Sequence, residues 1–202
     1  MPPSFESLLE NNPLRSRVRE AMEVKCLREG TDVGTVARGL HIACGNGAPT
    51  ALIRKHFDVT RMSAVDRDPA MIASARQRYA EDGTVDFSVQ DARSLSFTAE
   101  LFDAVFDLAD LHNYPDWKGC LLELRRVLKP GGLLILEELS RESFAHAAGR
   151  VFKAFTEHPY ESMLTVCGFQ EHVRSSGFQV RYFREKNPLG LLRYFVMVAQ
   201  KV

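Results

Sequence analysis

The chain has 202 residues, 45% of them hydrophobic and 26% charged, a composition that suits one globular domain with a sizeable core. Its 26 basic and 26 acidic side chains cancel, so no long-range field draws it to nucleic acid or to an anionic membrane. No apolar run approaches the roughly 20 residues that span a bilayer; the nearest, Leu189 to Ala199, is broken by Arg193.

In chain order, strand and helix patterns alternate, which predicts an α/β fold with a mostly parallel sheet. The start, Met1-Pro2-Pro3-Ser4-Phe5-Glu6, lacks the basic head and apolar run of a secretory signal, so a cytoplasmic protein is expected. Asn12 to Leu27 opens on Pro13 and carries Leu14, Val18, Ala21 and Met22 at helical spacing; this predicts an N-terminal helical extension over 1–34. Gly39 to Ala43 reads as a short strand that Gly45 and Gly47 turn into a helix from Ala48 to His56. Met62 to Val65 is a second strand. It ends at Asp66-Arg67-Asp68-Pro69, where Asp68 suits a helix cap and Pro69 the first helical turn. That helix runs through Met71, Ile72 and Ala75 to about Tyr79.

Val85 to Val89 alternates as a strand does, and Phe102 to Phe106 is a fourth. Asp116 caps a helix with Leu121, Leu124, Val127 and Leu128 on its apolar face, stopped by Lys129-Pro130-Gly131-Gly132. Leu133 to Leu136 is a central strand, apolar on all sides. Ser143 to Phe155 and Val166 to Ser175 read as helices, separated by a break at His158-Pro159-Tyr160. Phe178 to Phe183 and Tyr194 to Ala199 read as two last strands joined through Pro188-Leu189-Gly190. No linker or repeat divides the chain, so 1–202 is one domain, with 139–176 as a helical segment beside the sheet. The four cysteines (Cys26, Cys44, Cys120, Cys167) form no C-x-x-C pair and meet no histidine at zinc spacing; they read as reduced thiols, and no metal is expected.

A strand that ends in a glycine turn and opens a helix is a nucleotide-binding device. Glycines let a ligand approach the backbone, and the helix start offers free N–H groups. Gly45-Asn46-Gly47 alone is weak, since a dinucleotide fingerprint wants glycine or alanine where Thr50 stands. Asp66 adds specificity. It closes the second strand about twenty residues later, the interval of a ribose-binding acid whose carboxylate accepts from both hydroxyls. Asp91, after the third strand, can accept from an adenine amino group, with Ala92 as a small surface beside the ring.

The series Leu40-His41-Ile42-Ala43-Cys44-Gly45-Asn46-Gly47, Ala64 to Met71, Asp91-Ala92, Phe102 to Val105, Leu111-His112 and Arg126 to Gly132 resembles the class I S-adenosylmethionine-dependent methyltransferase superfamily. It is most similar to the small-molecule branch that includes the ubiquinone and menaquinone biosynthesis methyltransferases. The resemblance implies a Rossmann-like sheet of seven strands, one of them antiparallel, with helices on both faces. It implies S-adenosylmethionine as cofactor, with S-adenosylhomocysteine as product, and a small-molecule acceptor. Gly45, Asn46 and Gly47 would border the methionine part. Asp66 would take the ribose, and Asp91, Ala92 and Met71 the adenine, with Arg67 among the cofactor-binding residues. Asp107 and Leu108 would floor the pocket near the methyl group.

The chain departs from the family at His41, where an acid is usual, and at Ala43, where glycine is usual. A protonated His41 would repel the cofactor's ammonium, which implies weak or pH-dependent affinity. His112, in the loop after the fourth strand, is either a general base or a structural residue of that loop. The acceptor pocket is expected from Phe5, Leu14, Glu137, Phe144, Phe152, Phe155, His158 and Tyr160, whose aromatic character suits an apolar or ring-bearing acceptor. No Asn/Asp-Pro-Pro-Tyr/Phe motif follows the fourth strand, so the usual signal for methylating a nucleic-acid base amine is missing. Two rival readings stand beside the enzyme: a binding module without turnover, motivated by His41 and Ala43, and a nicotinamide-dependent oxidoreductase, disfavoured by the incomplete glycine pattern.

Overall fold

The computed structural model describes residues 27–28, 33–145, 160–187 and 194–202. In chain order the elements are β1 (Val36–Ile42), α1 (Ala48–His56), β2 (Val59–Asp66), α2 (Pro69–Arg78), β3 (Val85–Val89) and β4 (Phe102–Leu108). They continue with α3 (Trp117–Val127), β5 (Leu128–Leu139), α4 (Val166–Ser175), β6 (Phe178–Lys186) and β7 (Tyr194–Lys201). Short 3₁₀ turns cover Leu111–Asn113 and Arg141–Phe144. The expected helix over 12–27 falls outside the described residues except for Leu27, which is fully buried. Most of the expected helix over 143–155 and the Pro188-Leu189-Gly190 connection also fall outside them.

The seven strands form one sheet in the order β3-β2-β1-β4-β5-β7-β6. β1 to β5 pair in parallel, and β7 runs antiparallel to both β5 and β6. Alternation along the strands sends apolar residues to both faces. Leu40, Ile42, Val105, Leu134 and Leu136 pack with α3 and α4. Ala64, Phe106, Ile135 and Val198 pack with α1 and α2 on the opposite face. This is the Rossmann-like architecture that the motif series implies. Strand order reverses between β1 and β4, and such a switch point opens a crevice at the carboxyl ends of the strands.

The helices start where their caps are. The Asp68 carboxylate accepts from Ala70 N at 2.8 Å, Asp116 from Gly119 N at 3.0 Å, and the Thr165 hydroxyl from Gly168 N at 3.2 Å. Basic residues close α1, α2 and α3, where the helix dipole is negative.

Several strands are longer than the sequence suggests. β1 begins at Val36 and β2 at Val59, and β4 continues to Leu108. The largest difference is β5, which begins at Leu128 rather than Leu133, so Leu128 is a strand residue and not the last apolar position of α3. Leu128 pairs with Phe102 across the ladder, and the buried Lys201 amine donates to its carbonyl at 2.7 Å. A shift in register between Phe102 and Ala104, with Gly131 at φ +77°, absorbs the Lys129-Pro130-Gly131-Gly132 segment into the strand.

Candidate cofactor and active site

β1 delivers the glycine turn to the crevice. Three residues of the turn are left-handed: Ala43 at φ +48°, Gly45 at +52° and Gly47 at +80°. The turn closes through Gly47 N donating to the Cys44 carbonyl at 3.0 Å, and Cys44 N ties it to Val65 of β2. Gly47 packs closely: a Cβ there would lie 3.0 Å from the Tyr79 ring and 3.3 Å from Ala75 of α2. A Cβ on Gly45 would enter open space, so the backbone here faces a cradle. Asn46 is used by the scaffold. Its side-chain oxygen accepts from Ala48 N at 3.1 Å, and its carbonyl accepts from the Arg78 guanidinium.

Ala43 holds a conformation that costs a Cβ-bearing residue about 1–2 kcal/mol. Glycine would remove that strain but add about 0.4–1 kcal/mol of unfolded-state entropy. Ala43→Gly is therefore expected to stabilise the protein by about 1 kcal/mol, a rise in melting temperature of about 2–4 °C. A lower melting temperature would contradict a left-handed Ala43.

His41, one of the two departures, meets Thr50 in space. The fully buried His41 ring places Nδ1 2.8 Å from the Thr50 hydroxyl, which is also fully buried on the first turn of α1. The position where the family carries an acid is thus occupied by a ring bonded to its own helix.

β2 delivers Asp66. One carboxylate oxygen accepts from Gly45 N and the other from Asp68 N, both at 2.8 Å. These two N–H groups fix the carboxylate at the mouth of the glycine turn, and each oxygen keeps a further lone pair. Arg67 is exposed, with its guanidinium carbon 5.4 Å from the centre of the buried Tyr114 ring, a cation–π contact between the ends of β2 and the β4 loop. Burial pushes the Tyr114 hydroxyl well above its ordinary pKa. Met71 is half-buried on the first turn of α2.

Asp91 follows β3, with Ala92 buried beside it. Its carboxylate is engaged by its neighbour Arg93, whose guanidinium donates at 2.6, 3.0 and 3.1 Å and whose backbone N donates at 2.9 Å. Those hydrogen bonds hold the Asp91 carboxyl below the usual carboxylate range. Arg93 was not singled out by the sequence, although a basic residue two positions after a turn aspartate is a readable sign of such a clamp.

The ends of β4 and β5 carry the most buried chemistry. Asp107 is fully buried, and Leu108 beside it is buried on the opposite face of the sheet. Burial, and then the Glu138 charge, hold the Asp107 carboxyl well above the ordinary range. His112 is buried, with its ring Nδ1 2.7 Å from Glu138 Oε2. Glu138 is the residue that sequence reasoning missed. The signal was present, since two glutamates, Glu137 and Glu138, end an otherwise apolar central strand.

On the acceptor side, Glu137 is buried at the end of β5, and Phe144 meets Tyr160 edge to face at 4.9 Å. Phe144 and Tyr160 line a hollow with Arg141, Glu142 and Thr165. Phe5, Leu14, Phe152, Phe155 and His158 lie outside the described residues. Cys44 and Cys120 are buried free thiols that burial pushes up to about 12, and Cys167 is exposed and free. Among the described residues no cluster is placed to hold a metal ion, and no helix is long and apolar enough to cross a membrane.

The glycine turn, Asp66, Asp91 and the β4 end therefore share one edge of the sheet. Comparison with known proteins bears on the domain and the fold. Residues 40–136 match the profile of a methyltransferase domain. The chain is 32% identical over 139 residues to a demethylmenaquinone methyltransferase of Staphylococcus aureus, covering 68% of this chain and 53% of that protein. It is 32% identical over 102 residues to a phthiotriol/phenolphthiotriol dimycocerosates methyltransferase of Mycobacterium leprae, covering 50% of this chain and 37% of the relative. The chain thus spans about a third to a half of the length of these curated relatives. A solved geranyl diphosphate methyltransferase in complex with S-adenosylmethionine superposes with a TM-score of 0.77 at 14% identity, covering 95% of this chain and 92% of that one. Residues 40–136 thus carry a methyltransferase domain profile, and the motifs, the strand order and these likenesses are those of the class I S-adenosylmethionine-dependent methyltransferase fold.

Proposed function

We propose that this protein transfers the methyl group of S-adenosylmethionine to a small apolar or ring-bearing acceptor. The observation that carries the reading is the pairing of Asp66 with the glycine turn: a carboxylate oriented by Gly45 N and Asp68 N beside backbone that faces open space. That is a seat for a ribose next to a seat for a chain too close to tolerate side chains.

When bound, the cofactor supplies an electrophilic methyl group on a sulfonium leaving group. The protein's part is positioning and exclusion of water. Asp66 accepts from the ribose hydroxyls. Gly45, Asn46 and Gly47 border the methionine end beside Ala43, and His41 supplies its buried hydrogen-bonded ring in place of the usual acid. Met71 covers the adenine, Arg67 stands next to Asp66, Ala92 gives the adenine a flat neighbour, and Asp91 accepts from its amino group once Arg93 gives up one of its hydrogen bonds to the carboxylate. Asp107 and Leu108 end the strand beneath the transferred methyl. The acceptor enters from the side of Glu137, Phe144 and Tyr160. Two features support an apolar acceptor: the aromatic pair at that entrance, and the lipid and quinone names of the relatives.

His112 acts as a loop residue in this reading, because its ring is buried and taken up by Glu138. His112→Ala is expected to lower turnover only a few-fold, where loss of a general base costs about 10²-fold or more. The activity itself is tested with methyl-labelled S-adenosylmethionine and two acceptor classes, a demethylated prenyl quinone and a long-chain lipid alcohol. Label in either product is expected. Cofactor binding with no label in any acceptor would turn the assignment to a binding module.

A further inference from the structure

Asp107, Asp110, His112 and Glu138 form a buried polar cluster beneath the loop that joins β4 to α3, and methyl transfer as described consumes none of their protons. Glu138 is fully buried at the end of β5. Its carboxylate faces Leu111 N at 2.6 Å, His112 N at 3.3 Å, Leu139 N at 3.2 Å and the His112 ring Nδ1 at 2.7 Å. Three of these are backbone donors and the fourth is one in the Nδ1–H tautomer. Those donors favour the ionised form of Glu138 and work against burial, which pushes its carboxyl up to about 7.

Asp107 is equally buried on the adjacent strand. It pairs with Leu136, two residues before Glu138, so both acids project to the same face of the sheet. Its Oδ1 accepts from Asp110 N at 3.2 Å, while Oδ2 has no hydrogen-bond donor among the described residues. Neighbouring buried carboxyls cannot both ionise without strong repulsion. Since Glu138 has the donors, the proton belongs on Asp107, where Oδ2–H can donate to Glu138.

We propose that Asp107 is protonated and donates to an ionised Glu138, and that Glu138 is the positioning residue that holds the 109–115 loop in the shape that receives the methyl donor. The last clause rests on the methyltransferase reading; the proton assignment does not. The loop matters to the site because it begins at the β4 end and carries Tyr114, the ring that Arg67 covers. Ala109, its first residue, sits at φ +62°, a strained conformation, with its N–H donating to the Glu137 carbonyl at 2.8 Å.

The charged groups around the pair come from every neighbouring element: Asp107 on β4, Asp110 and His112 in the loop, Glu138 on β5, and Asp66 and Arg67 acting on Asp110 from the end of β2. Burial is the largest influence on Asp107, Asp110 and Glu138, and it raises all three. A carboxyl raised in the folded state keeps a proton that the unfolded chain releases above pH of about 4. Its contribution to stability is full below that pH and is lost as pH rises through the raised value. Melting temperature should therefore carry a falling component that begins above a pH of about 4 and runs through the raised values of this pair, about 7 for Glu138.

The test compares wild type, Asp107→Asn and Glu138→Gln by ¹⁵N NMR of the histidine rings, by melting temperature against pH and by S-adenosylhomocysteine binding. Asparagine keeps a neutral donor at position 107. Asp107→Asn should keep the Nδ1–H signature of His112 and reduce the falling component by the share that Asp107 contributes. Glu138→Gln should lose that signature and weaken S-adenosylhomocysteine about 10-fold or more, as expected when a site is displaced by a fraction of an ångström. The proposal is overturned if Asp107→Asn loses the Nδ1–H signature or leaves the pH slope unchanged, or if Glu138→Gln binds as wild type does. Should Glu138→Gln fail to fold, the two Asp107→Asn readouts still decide where the proton lies. Absence of binding by wild type would overturn the methyltransferase reading instead, with the tautomer and slope still reporting on the pair.

Discussion

Asp66→Ala is expected to weaken S-adenosylhomocysteine binding by about 10²-fold or more while leaving a folded protein. Each hydrogen bond to a charged group contributes about 1.5–3 kcal/mol, and the carboxylate stands to make two with a ribose. Alanine also releases Gly45 N and Asp68 N, the donors that the carboxylate now joins across the mouth of the turn. These N–H groups are near the surface and water can replace their partner, so the cost to stability should be small beside the cost to affinity. Titration calorimetry measures the first and thermal melting the second. A loss of less than about 10-fold would place the ribose elsewhere.

Gly47→Ala is expected to act in the opposite way, on stability first. The residue is left-handed at φ +80°, which costs an alanine about 1–2 kcal/mol. The new Cβ would also press on the Tyr79 ring at 3.0 Å and on Ala75 at 3.3 Å. Overpacking of this kind adds about 1–3 kcal/mol. The Tyr79 hydroxyl donates to the Gly47 carbonyl at 3.2 Å and Tyr79 packs on Phe87, so the ring has little freedom to retreat. A total of about 2–5 kcal/mol corresponds to a fall in melting temperature of about 5–15 °C for a chain of this size. Gly45→Ala is the control. It meets nothing within 4 Å, so it should pay only for its backbone angle and lose cofactor affinity instead. Equal melting temperatures for the two variants would contradict the packing assigned to Gly47.

Most of the fold was legible because its signals are local. The caps Asp68 and Asp116 stand at the residues where the helices begin, and alternation or continuous apolar runs mark all seven strands. Strand limits were less legible, because pairing extends a strand past its apolar core. Leu128 looks like the last apolar position of a helix until Phe102 is seen opposite it. The geometry of the candidate edge was legible as far as single residues carry it: Gly45, Gly47 and Asp66 stand at the strand ends where their spacing puts them, and the structure adds that Gly45 N donates to Asp66.

Pairings were not legible, since they depend on residues far apart in sequence. His41, a departure from the family, and Thr50, a mismatch to the dinucleotide fingerprint, looked unrelated and are one hydrogen-bonded pair. Asp91 looked free to meet an adenine and is clamped by Arg93. His112 was visible as a candidate, but its partner Glu138 lies 26 positions away on β5 and was passed over in favour of Glu137. The buried acid cluster is therefore a tertiary property: the sequence contains its members, and the parallel register of β4 with β5 brings them together.

The central claim, that this strand edge is an S-adenosylmethionine site, is tested most directly by titrating the protein with S-adenosylhomocysteine and, separately, with NAD. The account predicts saturable one-to-one binding of S-adenosylhomocysteine, weakened about 10²-fold or more in Asp66→Ala, and no binding of NAD. Binding of NAD, or no binding of S-adenosylhomocysteine by the folded wild-type protein, would contradict it.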